Sequence, residues 1–213
     1  MSEEVGKQEF NLTYIIRKAS DPGTPIAEVE KYAHDLYFAV RATVAESSRL
    51  SELADETIVA LLGDERVEVP IAAASNPVLP VKYYAVAAAH KSYKVRAAFA
   101  SNSTQNPEFT IFLKTLLSDE NPEVRAAAAS NKRVKEIDES YIVSRIEEET
   151  SVEVLKNLAA NELTEAAYLA LKSKGNREVN EILRSNAAVP EELKASIATR
   201  KTWLDFLPRK QRA

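Results

Sequence analysis

Residues 123–131 read EVRAAAASN, and the fold follows from how often this segment recurs. Clear copies stand at residues 94–102 (KVRAAFASN), 68–76 (EVPIAAASN), 153–161 and 178–186, and a weaker one at 39–47. Each copy has a valine seven positions before a closing asparagine, or before a serine in the first copy. Successive valines are 29, 26, 29, 30 and 25 residues apart. A self-similar pattern with a period of about 20–50 residues is the signature of a repeat architecture.

Each repeat is predicted to form two short helices. In the repeat that begins at Asn106, apolar residues recur at intervals of three and four and so form one helical stripe, as seen at Phe109, Phe112, Leu113 and Leu116. Asn-Pro at residues 121–122 supplies an N-cap and a first-turn proline for the second helix, and Thr150-Ser151 and Asn176 are expected to cap later ones. The closing Ser-Asn is expected to satisfy backbone groups at the turn into the next repeat.

One such helix pair is too small to bury its apolar stripe alone, so stacking is required for stability. We therefore predict an all-α, right-handed α-solenoid of about six to seven two-helix repeats, each of 25 to 30 residues. The predicted organisation is an N-terminal tail (1–12), a repeat domain (13–200), and a C-terminal cap with a basic tail (201–213). Within the repeat domain, Tyr83 and Tyr84 lie in an apolar helix and are expected in the core.

Composition agrees with a helical protein and excludes several classes of site. The chain has 32 alanines, only four glycines and no cysteine, and its net charge is −4. Disulfides, thiolate zinc sites, cysteine-ligated clusters and cysteine nucleophiles are therefore excluded. The first ten residues are polar and acidic, unlike a signal peptide, and no apolar run is long enough for a membrane span. We expect a cytoplasmic protein that does not bind membranes.

The repeat resembles the leucine-rich repeat variant family and, more loosely, HEAT-like helical repeats. The likeness rests on the acidic turn, Asn-Pro and Val-Arg of residues 119–125, the Asn at 131, and the Asn-Pro at 76–77, and it extends over about residues 13–198. It implies a stacked-helix scaffold. Some family members carry a cysteine-ligated iron–sulfur cluster, which a chain without cysteine cannot hold. HEAT-like DNA glycosylases use a basic cleft with several tryptophans, whereas this acidic chain has one, Trp203.

The sequence contains no pattern typical of an enzyme. It has neither a glycine-rich phosphate loop nor a G-x-S-x-G nucleophile motif. Its two histidines, His34 and His90, have no cluster of ligands beside them, so no metal or other cofactor is expected. His90 follows three alanines, and we expect it at a helix C-terminus, where a partly cationic imidazole is favourable. We predict a non-enzymatic protein.

The arginine that follows the valine in three copies is the main candidate for partner binding. Arg41, Arg96 and Arg125 occupy equivalent positions, so stacking would align them as a ladder that attracts phosphates or carboxylates. The alternative is that each arginine pairs with an acid of an adjacent turn, such as Glu65 or Glu120. The sequence leaves both possibilities open.

The charge distribution adds Lys94, Tyr93 and Trp203 to the candidates. Residues 70–135 carry 9 basic and 4 acidic side chains, a local net charge of +5 in an acidic chain. Lys94 and Tyr93 lie in this segment, and Trp203 lies in a C-terminal segment that either caps the stack or docks a partner. We predict a scaffold that binds a protein partner with an acidic surface. The alternative is a nucleic-acid-binding module that uses the basic repeats, and self-association through the solenoid ends is also open.

Overall fold

The computed structural model describes residues 12–197 and confirms an all-helical protein in that range, with no β-strand. Short 3-10 turns occur at Leu50–Glu52, Val81–Tyr83 and Lys132–Glu136. The α-helices are α1 (12–20), α2 (Ile26–Tyr32), α3 (Phe38–Glu46), α4 (Asp55–Leu62), α5 (Glu68–Ser75), α6 (Tyr84–Ala88), α7 (Tyr93–Ala100), α8 (Phe109–Leu116), α9 (Pro122–Ser130), α10 (Glu139–Glu148), α11 (Val152–Ala159), α12 (Glu165–Ser173), α13 (Arg177–Ser185) and α14 (Glu191–Ser196).

The chain divides into two compact units, Met1–Asn131 (unit 1) and Lys132–Ala213 (unit 2). Unit 1 contains helices α1 to α9, and unit 2 contains α10 to α14. The repeated segment forms the second helix of each pair, and we call α3, α5, α7 and α9 the second helices of unit 1. In unit 1, α3 packs on α5, α5 on α7, and α7 on α9. This neighbour-on-neighbour packing is consistent with a helical repeat.

Neighbouring second helices run parallel to each other. Arg41 near the start of α3 contacts Asp64, which lies just before α5. Asn76, just after the end of α5, contacts the carbonyl groups of Ala45 and Ser47 at the end of α3. The N-terminal ends of α3 and α5 therefore lie side by side, and so do their C-terminal ends. This arrangement puts equivalent repeat positions next to each other along the stack of unit 1.

The repeated apolar positions form the core of unit 1. The valines of the repeat are completely buried, and the residue four positions later is buried in each second helix because it lies one turn further on the same face. Alanines occupy many remaining positions, so the helix axes can approach closely. Tyr83 and Tyr84 are buried, as predicted. The ring of Tyr84 lies 5.2 Å from that of Phe99, and its hydroxyl is 2.9 Å from the Thr104 hydroxyl.

Unit 2 is built in the same way from α10 to α14. Helix α10 packs on α12, and α11 packs on α13. Tyr168 is 1% exposed, and its hydroxyl donates to the Asn161 carbonyl at 3.0 Å and accepts the Leu163 N–H at 2.9 Å. The turn between α12 and α13 contains Gly175, whose φ of +64° is a left-handed conformation. Glycine adopts this conformation without the steric cost that a Cβ brings.

The caps predicted at Asn121 and Asn176 are confirmed. The Asn121 side chain accepts the Glu123 N–H, and the Asn176 side chain accepts the N–H groups of residues 178 and 179. At Thr150-Ser151 the predicted position is right, because Ser151 is the N-cap residue of α11, but its side chain makes no capping bond. The carboxylate of Glu149 accepts the Thr150 and Ser151 N–H groups. The longer glutamate side chain reaches over the turn from two positions before Ser151.

The two chain ends, residues 1–11 and 198–213, lie outside the described residues. The predicted C-terminal cap and basic tail, with Trp203, therefore lie outside them as well. Within residues 12–197, none of the helices combines the length and the apolar character that crossing a membrane requires.

Candidate functional site

The turn that precedes each second helix has a recurrent side-chain cap. Asp35 accepts the Tyr37 N–H, Asp64 the Arg66 N–H, and Asp119 the Asn121 N–H, each at 2.9 Å. In every case the acceptor lies two residues before the donor, five residues before the repeat valine. We call this position the turn acid. Its carboxylate satisfies a backbone N–H that the helix start leaves unpaired, and its negative charge is favourable there.

Arg41 connects two successive turns of unit 1. Its Nε and Nη2 atoms donate to the two carboxylate oxygens of Asp64 at 2.6 and 2.9 Å. Its Nη1 donates to the carbonyls of Asp35 and Leu36 at 2.8 and 3.1 Å. The side chains of Arg41 and Asp64 are only 14% and 10% exposed. The guanidinium therefore pairs with the next turn acid and at the same time ties down the turn of its own repeat.

The same arrangement recurs at Arg96 and Asp119. Nε and Nη2 of Arg96 donate to the Asp119 oxygens at 2.7 and 2.8 Å, and Nη1 donates to the His90 carbonyl at 3.0 Å. Burial acts to raise the pKa of the Asp119 carboxyl, but the hydrogen bonds from Arg96 and from the Asn121 N–H outweigh it, so this pKa is lowered. Hydrogen bonding to Asp119 in turn raises the pKa of Arg96.

Arg41 and Arg96 pair with acids of the adjacent turn, as one of the two alternatives from the sequence has it. Arg41 pairs with Asp64 rather than Glu65, and Arg96 pairs closely with Asp119 and also with Glu120, at 3.6 Å. The turn acid is one residue earlier because it folds back over the helix start, where the preceding arginine can reach it. Arg125 donates through Nη1 to the carbonyls of residues 119 and 120, at 2.8 and 3.1 Å. The three equivalent arginines thus share the contact to their own turn.

Two neighbouring repeats of unit 1 depart from this scheme, one at the arginine position and the next at the turn-acid position. Pro70 stands where the other copies in unit 1 have arginine, and His90 stands where they have the turn acid. His90 Nδ1 accepts the Ser92 N–H at 3.0 Å, so the imidazole replaces the carboxylate as the cap of α7. His90 follows the C-terminus of α6, as expected from the sequence, but its surroundings do not favour the cationic form of the ring. Burial lowers the pKa of His90, and the positive charges of Lys91 and Arg96 act in the same direction.

A second ladder runs along the other ends of the second helices. The side-chain amide of Asn102 donates to the carbonyls of Ala74 and Asn76, each at 2.9 Å. Asn131 makes the same pair of bonds to residues 100 and 102, and in unit 2 Asn186 does so to residues 159 and 161. The sequence predicted a role in the turn, and this role exists, since Asn102 Oδ1 accepts the Thr104 N–H. The bonds to the preceding repeat were not predicted.

Between these two ladders lies a face of small side chains, which we call the alanine face. It comprises partly exposed residues two and three positions after each repeat valine: Ala42, Thr43, Ile71, Ala97, Ala98, Ala126 and Ala127. Lys94 is exposed at its margin, and Tyr93 is partly exposed beside it. In unit 2 the corresponding positions carry longer side chains, such as Lys156 and Glu181.

The candidate residues thus fall into two groups. Arg41, Arg96 and Arg125 each hold the turn of their own repeat, and Arg41 and Arg96 also form ion pairs with the next turn. Lys94 and Tyr93 lie at the margin of the alanine face. Trp203 lies outside the described residues. Over residues 12–197, no cluster of three or more histidine, aspartate or glutamate side chains could hold a metal ion.

Comparison with known proteins gives no relative. The chain matches no protein-family model, no curated protein and no solved structure.

Proposed function

We propose that this chain is a non-enzymatic scaffold that binds a protein partner on the alanine face of unit 1. The proposal includes the finer architecture expected from the sequence, a right-handed α-solenoid of the leucine-rich repeat variant type. The observation that carries it is the contrast between the face and its margins. The margins are tied by ion pairs and asparagine bonds, whereas the face between them presents small side chains that are partly exposed.

Such a face is suited to binding because little of it has to be ordered. Alanine has no side-chain rotamers to lose, and the arginine and asparagine ladders already hold the turns at both ends of the helices. Small side chains also let the backbone of a partner helix or extended segment approach closely. Lys94 at the margin offers a charge for an acidic residue of the partner, and Tyr93 offers an aromatic contact.

The test is to fill the face without disturbing the core. Lysine is accommodated at this repeat position in α11, where Lys156 occupies it, so Ala97→Lys and Ala126→Lys should fold. The matched control is Ala85→Lys, at an exposed position of α6 away from the face. In affinity capture from the native host followed by cross-linking, we expect the face variants to lose a partner that the control retains. Equal capture by all three variants would contradict the proposal.

A second candidate, nucleic-acid binding, is favoured by the local charge of residues 70–135. Lys91 and Lys94 are exposed in this segment. Lys91 lies in the turn before α7, and Lys94 is the second residue of α7. Phosphate binding through such lysines would weaken steeply as salt concentration rises. Nuclease treatment before capture separates the two candidates, because a partner protein bound through nucleic acid would be released. If the partner protein is still captured after nuclease treatment, nucleic-acid binding is eliminated as the second candidate.

A further inference from the structure

At one position of unit 1 an imidazole, whose ordinary pKa is about 6.5, replaces a carboxylate as the cap. The turn acids Asp64 and Asp119 cap α5 and α9, and His90 caps α7 between them. The two aspartates also pair with an arginine of the preceding repeat. The repeat before His90 has Pro70 at the arginine position, so that partner does not exist there. The histidine therefore stands where both the acid and its arginine have been replaced.

We propose that His90 makes the junction between α6 and α7 sensitive to mild acid. In its neutral form the ring accepts the Ser92 N–H through Nδ1. Protonation places a proton on Nδ1, and two donors then face each other, so the cap is lost. The new positive charge lies between the C-terminus of α6 and the N-terminus of α7, whose helix dipoles act on it in opposite directions, so the lost hydrogen bond carries the effect. Acid therefore loosens the start of α7 and, with it, the packing of α7 on α5.

The charges around the ring reinforce this effect. Lys91 is adjacent in sequence, and Arg96 on α7 donates to the His90 carbonyl, so both act against a cationic imidazole. Across the junction, α4 contributes a backbone hydrogen bond with Leu62, which favours the charged ring. Asp119, the turn acid of the next repeat, is bound to Arg96. Burial of the ring is the largest influence and lowers the pKa of His90.

The direction of the pH effect follows from these contacts. In the unfolded chain, His90 has an ordinary pKa of about 6.5 and gains a proton as the pH falls below that value. The folded state resists protonation, because its pKa is lowered. The contribution of His90 to stability is therefore complete above the ordinary value and is lost as the pH falls from there towards the folded value.

The experiment compares three proteins with the same chain length. In His90→Asn, an amide oxygen can cap the turn without titrating, as Asn106 does when it accepts the Glu108 N–H at 2.9 Å. His34→Asn removes the other histidine of the chain, which is exposed. Urea unfolding is measured from about pH 7.5 to about pH 5.5, an interval centred on the ordinary histidine value. Between these two pH values, the folded-to-unfolded ratio of the wild type should fall relative to that of His90→Asn. The fall is at most about tenfold, because the lowest pH lies one unit below the ordinary histidine pKa.

The control and a second measurement keep the result interpretable. His34→Asn should lose stability in acid as the wild type does, whereas parallel curves for wild type and His90→Asn would overturn the proposal. If His90→Asn does not fold, NMR titration of the wild type decides. The ring of His90 should then titrate below the ordinary value, together with the Ser92 amide proton. A Ser92 amide that does not respond while the ring titrates would also overturn it.

Discussion

The side-chain amide of Asn102 donates to the backbone carbonyl of Asn76 at 2.9 Å, and Asn76 in turn donates to the carbonyl of Ser47 at 2.8 Å. Each asparagine thus reaches back to the equivalent residue of the preceding repeat. Asn102 is 1% exposed, so water could not take over its hydrogen bonds to these backbone groups if the side chain were removed. The ends of α3, α5 and α7 are therefore held together by buried side-chain amides.

Replacing Asn102 by alanine should destabilise unit 1 by about 3 kcal/mol. Two carbonyls and the Thr104 N–H lose their partner in a buried site, and each unsatisfied buried group costs about 1–3 kcal/mol. Urea unfolding of the full chain measures the loss. Ser103→Ala, at the exposed neighbouring position, is the control and should be close to wild type. A loss in Asn102→Ala no larger than in the control would contradict this role.

The ion pair between Arg96 and Asp119 should show strong energetic coupling. The side chains of Arg96 and Asp119 are 12% and 10% exposed, and two hydrogen bonds join them. Removing one partner therefore leaves the charge of the other poorly solvated. A double-mutant cycle with Arg96→Met and Asp119→Asn should give a coupling of about 2 kcal/mol. The exposed pair of Lys82 and Asp55 serves as the comparison and should show no measurable coupling. Equal coupling in the two pairs would refute the structural role of the arginine ladder.

Acid below pH 5 should destabilise the chain through the turn acids, separately from His90. The pKa of Asp119 is lowered in the folded state, so its contribution is present above the unfolded value of about 3.9 and is lost as the pH falls through the folded value. Asp119→Asn should therefore flatten the stability profile below about pH 4. The same variant should leave the profile between about pH 7 and pH 6 unchanged, where histidine titrates. A profile of unchanged slope in the acid range would disprove the assignment.

In unit 2, Gly175→Ala should cost about 1 kcal/mol although it creates no collision. No atom lies within 4 Å of a Cβ built at this position, so the cost arises only from the φ of +64°. Asparagine tolerates this left-handed region better than alanine does, and Gly175→Asn should regain part of the loss. Thermal unfolding of the three proteins measures both effects. Equal stability of the alanine and asparagine variants would show that the backbone conformation is not the cause.

The helices and their buried stripes were predictable because they depend on neighbours along the chain. A proline after Asn121, acids in first turns and apolar residues three and four positions apart act within one or two helical turns. The caps at Asn121 and Asn176 and the burial of Tyr83 and Tyr84 were identified on this basis. The N-cap position of Ser151 was also identified, but the absence of its side-chain bond and the contact of Glu149, two residues earlier, with the turn depend on the backbone path.

The sequence by itself determined that the chain is helical, where the second helices recur, and which residues are equivalent between copies. Tertiary structure decided what the equivalent residues contact. Arg41 and Asp64 are 23 residues apart, and Asn102 and Ala74 are 28 apart, so their meeting depends on how parallel helices pack. The repeat spacing signalled the arginine ladder and could have signalled the asparagine ladder as well, since residues that recur at one period line up when the helices stack. It could not signal that a histidine would cap α7, because that contact depends on the local path of the turn and on the burial of the ring.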